Sequence, residues 1–248
     1  MRLQAFTYRI YPTAAQQTAI AQQFGCCRFV YNNGLELKVK TYEQTGETLS
    51  CFDLIKRLPS LKQDHPWLRD ADSQALQMAL RNLDNAFLRF FQKQGGFPKF
   101  KLRKHSHQSC QFPQRVKVDF AAKMITFPKI GHVRLKLRKL THRFDGKIKT
   151  VTLRQTPSGK YFVSVLVERP LDNPPLPPVT RDATLGIDVG IKDFAILSTG
   201  EKIAHPKTLK RSLRALKRLQ RAVSRKVKGS QNRNKARRQL AKRHEHVA

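Results

Sequence analysis

The sequence predicts an α+β chain: a small antiparallel β-barrel with a helical bundle inserted into it, then a second α/β unit ending in a basic helical hairpin. Three observations predict this class. Residues 111–169 alternate apolar and polar side chains with a period near two, cut by turns at Gly131, Asp145-Gly146 and Pro157-Ser158-Gly159. Leu76, Leu80, Leu83, Phe87 and Phe90 instead recur at three- and four-residue steps, after a capping box at Thr13 that opens a helical stretch. Five prolines between residues 170 and 182 then set both apart from a short β-rich motif and a strongly cationic carboxy-terminal segment.

Leu3 to Tyr11 alternates bulky and polar residues and reads as the first strand. Pro12 ends it, and Thr13 with Gln16 has the spacing of a capping box for a helix to about Phe24. A second helix is expected from Arg28 to Gln44, stopped by Gly46, so that the pair forms an αα-hairpin. A short helix follows over Phe52 to Leu61. Asp72 or Ser73 caps a stronger one, whose stripe of Leu76, Leu80, Leu83, Phe87 and Phe90 is expected to be core. Gln77 lies off that stripe, either as an ordinary solvated residue or as a base-contacting one, since glutamine can pair bidentately with adenine. Gly95-Gly96 release the helix into Phe97–Lys101, where aromatics and cations interleave. Lys99, Lys101, Arg103 and Lys104 can track a phosphate backbone there, or solvate a structural hinge. About five strands are expected between Gln111 and Arg169, their basic positions favouring an RNA backbone. The expected domains are residues 1–12 with 110–169 as barrel, 13–109 as helical insertion, 170–182 as linker and 183–248 as the second unit.

A formal net charge of +32, from 49 Lys+Arg against 17 Asp+Glu in 248 residues, would strain a compact fold unless a polyanion neutralises it. Nucleic acid is the expected partner, because lysine and arginine contacts to phosphate release counterions. A membrane is not, since no long apolar or basic amphipathic anchor is present. Cys26, Cys27, Cys51 and Cys110 lack metal-site spacing, so no zinc site is expected. They read as reduced core thiols of a cytoplasmic, nucleoid-associated protein without an evident signal peptide.

Leu185–Gly200 reads as strand, tight turn and returning strand, with Lys202–Ala204 as a third strand. Its exception is Asp188, a carboxylate in an otherwise buried-looking strand. It either caps the turn at Gly190 or ligates a hard cation. Beyond Pro206 stand 16 lysines and arginines against the single acid Glu245. Lys210, Arg211, Arg214, Lys217, Arg218, Arg221, Arg225 and Lys226 fall in its first half, around a narrow stripe of Leu209, Leu213, Leu216, Leu219 and Val223. With so little countercharge, polyanion binding is preferred over a merely solvated face.

Gly186-Ile187-Asp188-Val189-Gly190-Ile191-Lys192-Asp193-Phe194-Ala195 resembles the first RuvC motif of the TnpB (OrfB) proteins of bacterial insertion sequences. These are RNA-guided DNA endonucleases with a Cas12-like RuvC domain, called transposases in older usage. The run Arg28-Phe29-Val30-Tyr31-Asn32, the stretch around Gln77 and the segment Gly96–Lys101 resemble the same family. The resemblance implies that the barrel is a wedge domain and that residues 183–248 begin an RNase H-like nuclease domain. It implies that Asp188 is the first metal-binding aspartate, holding Mg2+ or Mn2+ in the complete enzyme, and that guide RNA and DNA are the partners. The family's later acids and zinc element lie beyond its basic hairpin, so these residues are expected to be catalytically incomplete without a carboxy-terminal portion. A non-catalytic nucleic-acid-binding repressor or accessory protein is the alternative.

Overall fold

A computed structural model describes residues 1–103, 108–137, 143–170, 180, 184–206 and 208–247, without the side chains of Thr208 and Arg211. The chain divides into two compact units, Met1–Leu171 and Asp172–Ala248. Lys104, four residues of the basic tract in all, and nearly all of the proline-rich linker lie outside the described residues.

The first unit is built on strand β1 (Arg2–Tyr11), where buried Phe6, Tyr8 and Ile10 alternate with less buried neighbours. β1 pairs antiparallel with β7 (Tyr161–Arg169) along almost its whole length, and with β5 (Gly131–Lys136) at its end. Strands β2 (Gln108–Phe112), β3 (Lys117–Asp119), β4 (Met124–Phe127) and β6 (Lys147–Gln155) complete a seven-stranded antiparallel sheet in the order β2-β6-β7-β1-β5-β4-β3. In a flat sheet β2 and β4 would stand about 24 Å apart, five interstrand steps of about 4.8 Å. The rings of Phe112 and Phe127 are nevertheless 5.2 Å apart, so the sheet curls until its two ends share one core. Val133, Val151, Leu153 and Val163 fill that core without measurable exposure. Among the described residues no ladder joins β2 to β3, so the strands form a curled sheet with two edges.

One expected boundary is wrong. The residue 13–44 region is a single helix, α1 (Ala14–Thr45), and not a helical hairpin. Its capping box at Thr13 and Gln16 and its left-handed Gly46 stop are as expected. The buried stripe of Ile20, Phe24, Cys27, Tyr31, Leu35 and Lys38 continues at three- and four-residue steps past Gly25, so packing overrides that glycine's weak propensity. Lys38 ends the stripe because Asp84 meets its ammonium at 3.0 Å and the Phe87 ring lies 5.0 Å away. The helix expected over Phe52 to Leu61 is in turn split into α2 (Cys51–Lys56) and α3 (Leu58–Asp64). Pro59 lacks the N–H that a continuous helix would bond back to Ile55.

Helix α4 (Ser73–Phe91) is capped by Asp72, whose carboxylate accepts from Ala75 N at 3.0 Å. Leu76, Leu80, Leu83 and Phe87 are buried as expected, while Phe90 is half-buried. α1 packs on α4 at Gly34, where an added Cβ would come within 2.8 Å of Leu80 Cδ2 and 3.2 Å of Leu83 Cδ2. Gly34→Val should therefore cost roughly 1–3 kcal/mol by overpacking. Urea denaturation of the whole chain, read at the first unit's transition, checks this; an unchanged midpoint would contradict the packing.

The second unit holds an antiparallel sheet of β8 (Ile187–Asp188), β9 (Asp193–Leu197) and β10 (Lys202–Ala204), with β9 central. Helices α5 (Thr208–Ser224) and α6 (Gln231–Val247) pack on each other through Leu216 and Ala236. The sheet is largely open: Ile187 is 61% exposed, Phe194 48% and Ile203 40%, and Val189 and Ile191 in the β8–β9 turn are exposed as well. Among the described residues, no helix is long and apolar enough to cross a membrane.

Candidate functional site

Asp188 ends the two-residue strand β8 and is exposed, which corrects the expectation of a buried strand. The apolar pattern around it is real, yet among the described residues only Ala195 of this sheet is buried. The strand register settles which groups share its face. Asp188 stands opposite Ile196, and Ile196 opposite Lys202, so the carboxylate and the ammonium lie on one face about 10 Å apart across two strands. Asp193 pairs with Ala204 past a register shift between β9 and β10, outside the regular alternation that links Asp188, Ile196 and Lys202. Glu201 leads into β10, and its carbonyl accepts from Leu197 N at 2.9 Å. Among the described residues no three His, Cys, Asp or Glu side chains come together. One carboxylate offers two of the six or so oxygens a hard divalent cation needs, so these residues alone do not fit a metal centre.

The cations are far better organised. Lys210, Arg214, Lys217, Arg218 and Arg221 are exposed on α5, and Arg225 and Lys226 just beyond it. Positions 210, 214, 217, 221 and 225 follow at four- and three-residue steps, forming a stripe beside the apolar one. That stripe is about 22 Å long at 1.5 Å per residue, enough to face some six phosphates of one duplex strand. Arg211 belongs to the same helix, its side chain outside the described ones. The α5–α6 connection is held by Arg233, which donates to Lys226 O at 3.3 Å, and by Arg243, which donates to Ser212 Oγ at 3.3 Å. Like charges at these spacings oppose a helix, and α5 contains no acid to relieve them.

A second cationic segment lies in the first unit. Lys99 and Arg103 are exposed in the irregular run after α4, with Phe97 48% and Phe100 55% exposed between them and Pro98 buried beneath. Lys101 is held from two sides by successive residues of α1. Asn32 Nδ2 donates to Lys101 O at 3.0 Å while Asn32 Oδ1 accepts from Lys101 N at 2.8 Å. The Tyr31 ring lies 3.9 Å from the Lys101 ammonium. The residue as a whole is exposed, but this tucked ammonium is desolvated, which lowers its pKa from the ordinary lysine range. Asn32 is the positioning residue that sequence reasoning passed over. Its only signal was the run Arg28–Asn32, and the partner lies 69 residues away.

Gln77 is half-buried on α4. Its neighbours on that helix are engaged with the β2 region, Gln74 to Gln114 at 3.1 Å and Asn82 to Gln111 at 3.0 Å. Gln77 stands on the flank of this row rather than in it.

Known proteins resemble this chain from end to end. Residues 1–47 match the OrfB_IS605 model described as a helix-turn-helix domain, and residues 162–248 match the OrfB_IS605 model described as "Probable transposase". In this chain residues 1–47 form β1 and the single helix α1. A protein of Streptomyces pristinaespiralis, named as a candidate RNA-guided DNA endonuclease, is 37% identical over 98% of this chain and 60% of its own length. InsQ of Escherichia coli K12, named in the same terms, is 32% identical over 100% of this chain and 60% of its own length. The chain thus spans about 60% of the curated relatives it matches. A structure titled as a Cas12f1-sgRNA-target DNA complex aligns with 99% of the chain and 66% of its own, at 12% identity and a TM-score of 0.39.

Proposed function

The chain belongs to the OrfB (TnpB) family of insertion-sequence proteins, and from that premise we propose that it is the amino-terminal portion of a transposon-encoded RNA-guided DNA endonuclease. The observation that carries this reading is the unbalanced cationic stripe of α5, which repels itself unless a polyanion lies along it. The pinned Lys99–Arg103 segment, with exposed rings between its cations, supports a second contact suited to stacked bases and phosphates. Guide RNA and DNA are the proposed partners.

In this reading the curled sheet is the wedge barrel, residues 13–109 are its helical insertion, and residues 183–248 open a RuvC-type nuclease domain. Asp188 is the first of its metal-binding acids, for Mg2+ or Mn2+. The remaining ligands come from outside these residues, in agreement with the lack of a three-group acid, His or Cys cluster among the described ones. The exposed apolar residues of β8 and β9 are the surface such a completing portion would cover. Lys99, Arg103, Lys104 and the α5 cations hold backbone, and Gln77 is the base-contact candidate. Lys101, proposed for the same contact from the sequence, instead anchors its segment on Tyr31 and Asn32. A cytoplasmic, nucleoid-associated location follows from these partners.

Salt dependence tests the interface. Replacing Arg214, Lys217 and Arg221 by glutamine should weaken RNA binding about tenfold or more at moderate salt. It should also lower the slope of log affinity against log salt by roughly 0.7–0.9 for each phosphate no longer neutralised. Fluorescence anisotropy with a labelled RNA across a salt series measures both. An unaltered slope would remove α5 from the interface.

A further inference from the structure

We propose that Cys27 and Cys110 form an oxidisable dithiol site, which hydrogen peroxide converts to a disulfide clamping α1 to β2. All four cysteines are free thiols. Cys27 on α1 and Cys110 on β2 are 6% and 5% exposed and line one cavity, each the other's electrostatic neighbour, while Cys27 Sγ donates to Ala75 O at 3.6 Å. Gln23 Nε2 donates to Cys27 Sγ at 3.3 Å, and the nearby Lys101 ammonium attracts the same sulfur electrostatically. These contacts, the Cys110 thiol first among them, lower the Cys27 pKa against the opposing effect of burial. Burial raises that of Cys110, as does the neighbouring Cys27 sulfur. The Gln23 donor and the Lys101 cation both favour negative charge on Cys27, which is assigned as the nucleophile, with Cys110 as resolving thiol.

An oxidant can reach them. Both line a cavity of about 270 Å³ whose polar wall includes Arg28, Asn82, Lys101 and Gln111. That volume is many times the roughly 30 Å³ share of one water molecule. The Cys27 thiolate attacks a peroxide oxygen and breaks the O–O bond. This leaves a sulfenic acid on Cys27 and a hydroxide ion, which takes up the proton Cys27 gave. The Cys110 sulfur then displaces the sulfenic hydroxyl, which leaves as water with the Cys110 proton. Two thiols and one peroxide become a disulfide and two waters. The disulfide requires the two sulfurs to close to about 2.05 Å, with the Cα atoms within roughly 7 Å. The new bond would join the helical insertion to the sheet beside the existing Arg28–Gln108 hydrogen bond of 3.0 Å. It would close a loop of roughly 80 residues, a length at which cross-links restrict the unfolded chain strongly. This proposal does not rest on the nuclease reading.

The test treats the reduced chain with hydrogen peroxide, blocks remaining thiols with N-ethylmaleimide and digests it without reductant for mass spectrometry. The expected result is a peptide pair joined through Cys27 and Cys110, lacking two hydrogens and separated by dithiothreitol. It should persist in Cys26→Ser and Cys51→Ser and be absent in Cys110→Ser. Tm should rise by roughly 5–10 °C on oxidation and return on reduction. Oxidation at Cys26 or Cys51 ahead of this pair, a linked peptide that forms only in urea, or linkage without a rise in Tm would each overturn the proposal.

Discussion

Asp188→Ala should abolish DNA cleavage by a chimaera that joins this chain to the part of the Escherichia coli relative it does not span. The loss expected is on the order of 10³-fold or more, since a metal-bound charge stabilises such a transition state by several kcal/mol. RNA binding should stay within about twofold, because the cationic stripe of α5 contains no part of β8. Stability should not change measurably either. Asp188 is exposed and shares its face with Ile196 and Lys202, so the substitution disturbs no packing. Cleavage of a labelled target in Mg2+, read beside RNA affinity, separates a catalytic loss from a binding loss. Cleavage surviving in Asp188→Ala would remove this residue from the catalytic set.

Phe112→Ala should have the largest effect on stability, roughly 3–5 kcal/mol. The Phe112 ring is fully buried, and it meets Phe127 where the two ends of the sheet converge. Removing it opens a cavity at that closure, and neither edge strand has another ladder there to collapse onto. Phe97→Ala offers the contrast. Its ring is half-exposed, though it meets Phe87 and Phe90 edge-on, so it should cost about 1 kcal/mol or less. Urea melts of the two variants should differ accordingly; equal midpoints would mean the sheet does not depend on its curled closure.

Periodicity made much of this fold legible. The period-two runs after residue 116 became β3 to β7, and the stripe from Leu76 to Phe87 became the buried face of α4. The Thr13–Gln16 capping box and Gly46 placed helix ends because they act through local hydrogen bonds. Misses arose where tertiary packing decided. Gly25 does not interrupt α1, since the buried stripe runs past it. Strand β2, Gln-Ser-Cys-Gln-Phe, is too polar to read as a strand, and its glutamines are spent on Arg28 and Asn82 of two helices distant in sequence. Asn32 escaped for the same reason, as its value lies in hydrogen bonds with Lys101 that no local spacing reveals.

At the site, charge was the strongest signal and proved the best organised, because cations at helical spacing define a face without tertiary help. Asp188 stood out as an acid among apolar residues, but that pattern cannot distinguish a strand buried within its own unit from one left for another portion to cover. The exposure of Ile187, Val189 and Ile191 is therefore information that only the structure supplies.

Purifying the chain from its own cell and sequencing the RNA bound to it tests the account most directly. A guide-holding portion predicts one abundant RNA of defined boundaries, with a segment matching DNA beside an insertion site. A smear of ribosomal and transfer RNA fragments, unchanged when Arg214, Lys217 and Arg221 are replaced, would mean that the charge binds indiscriminately and would contradict it.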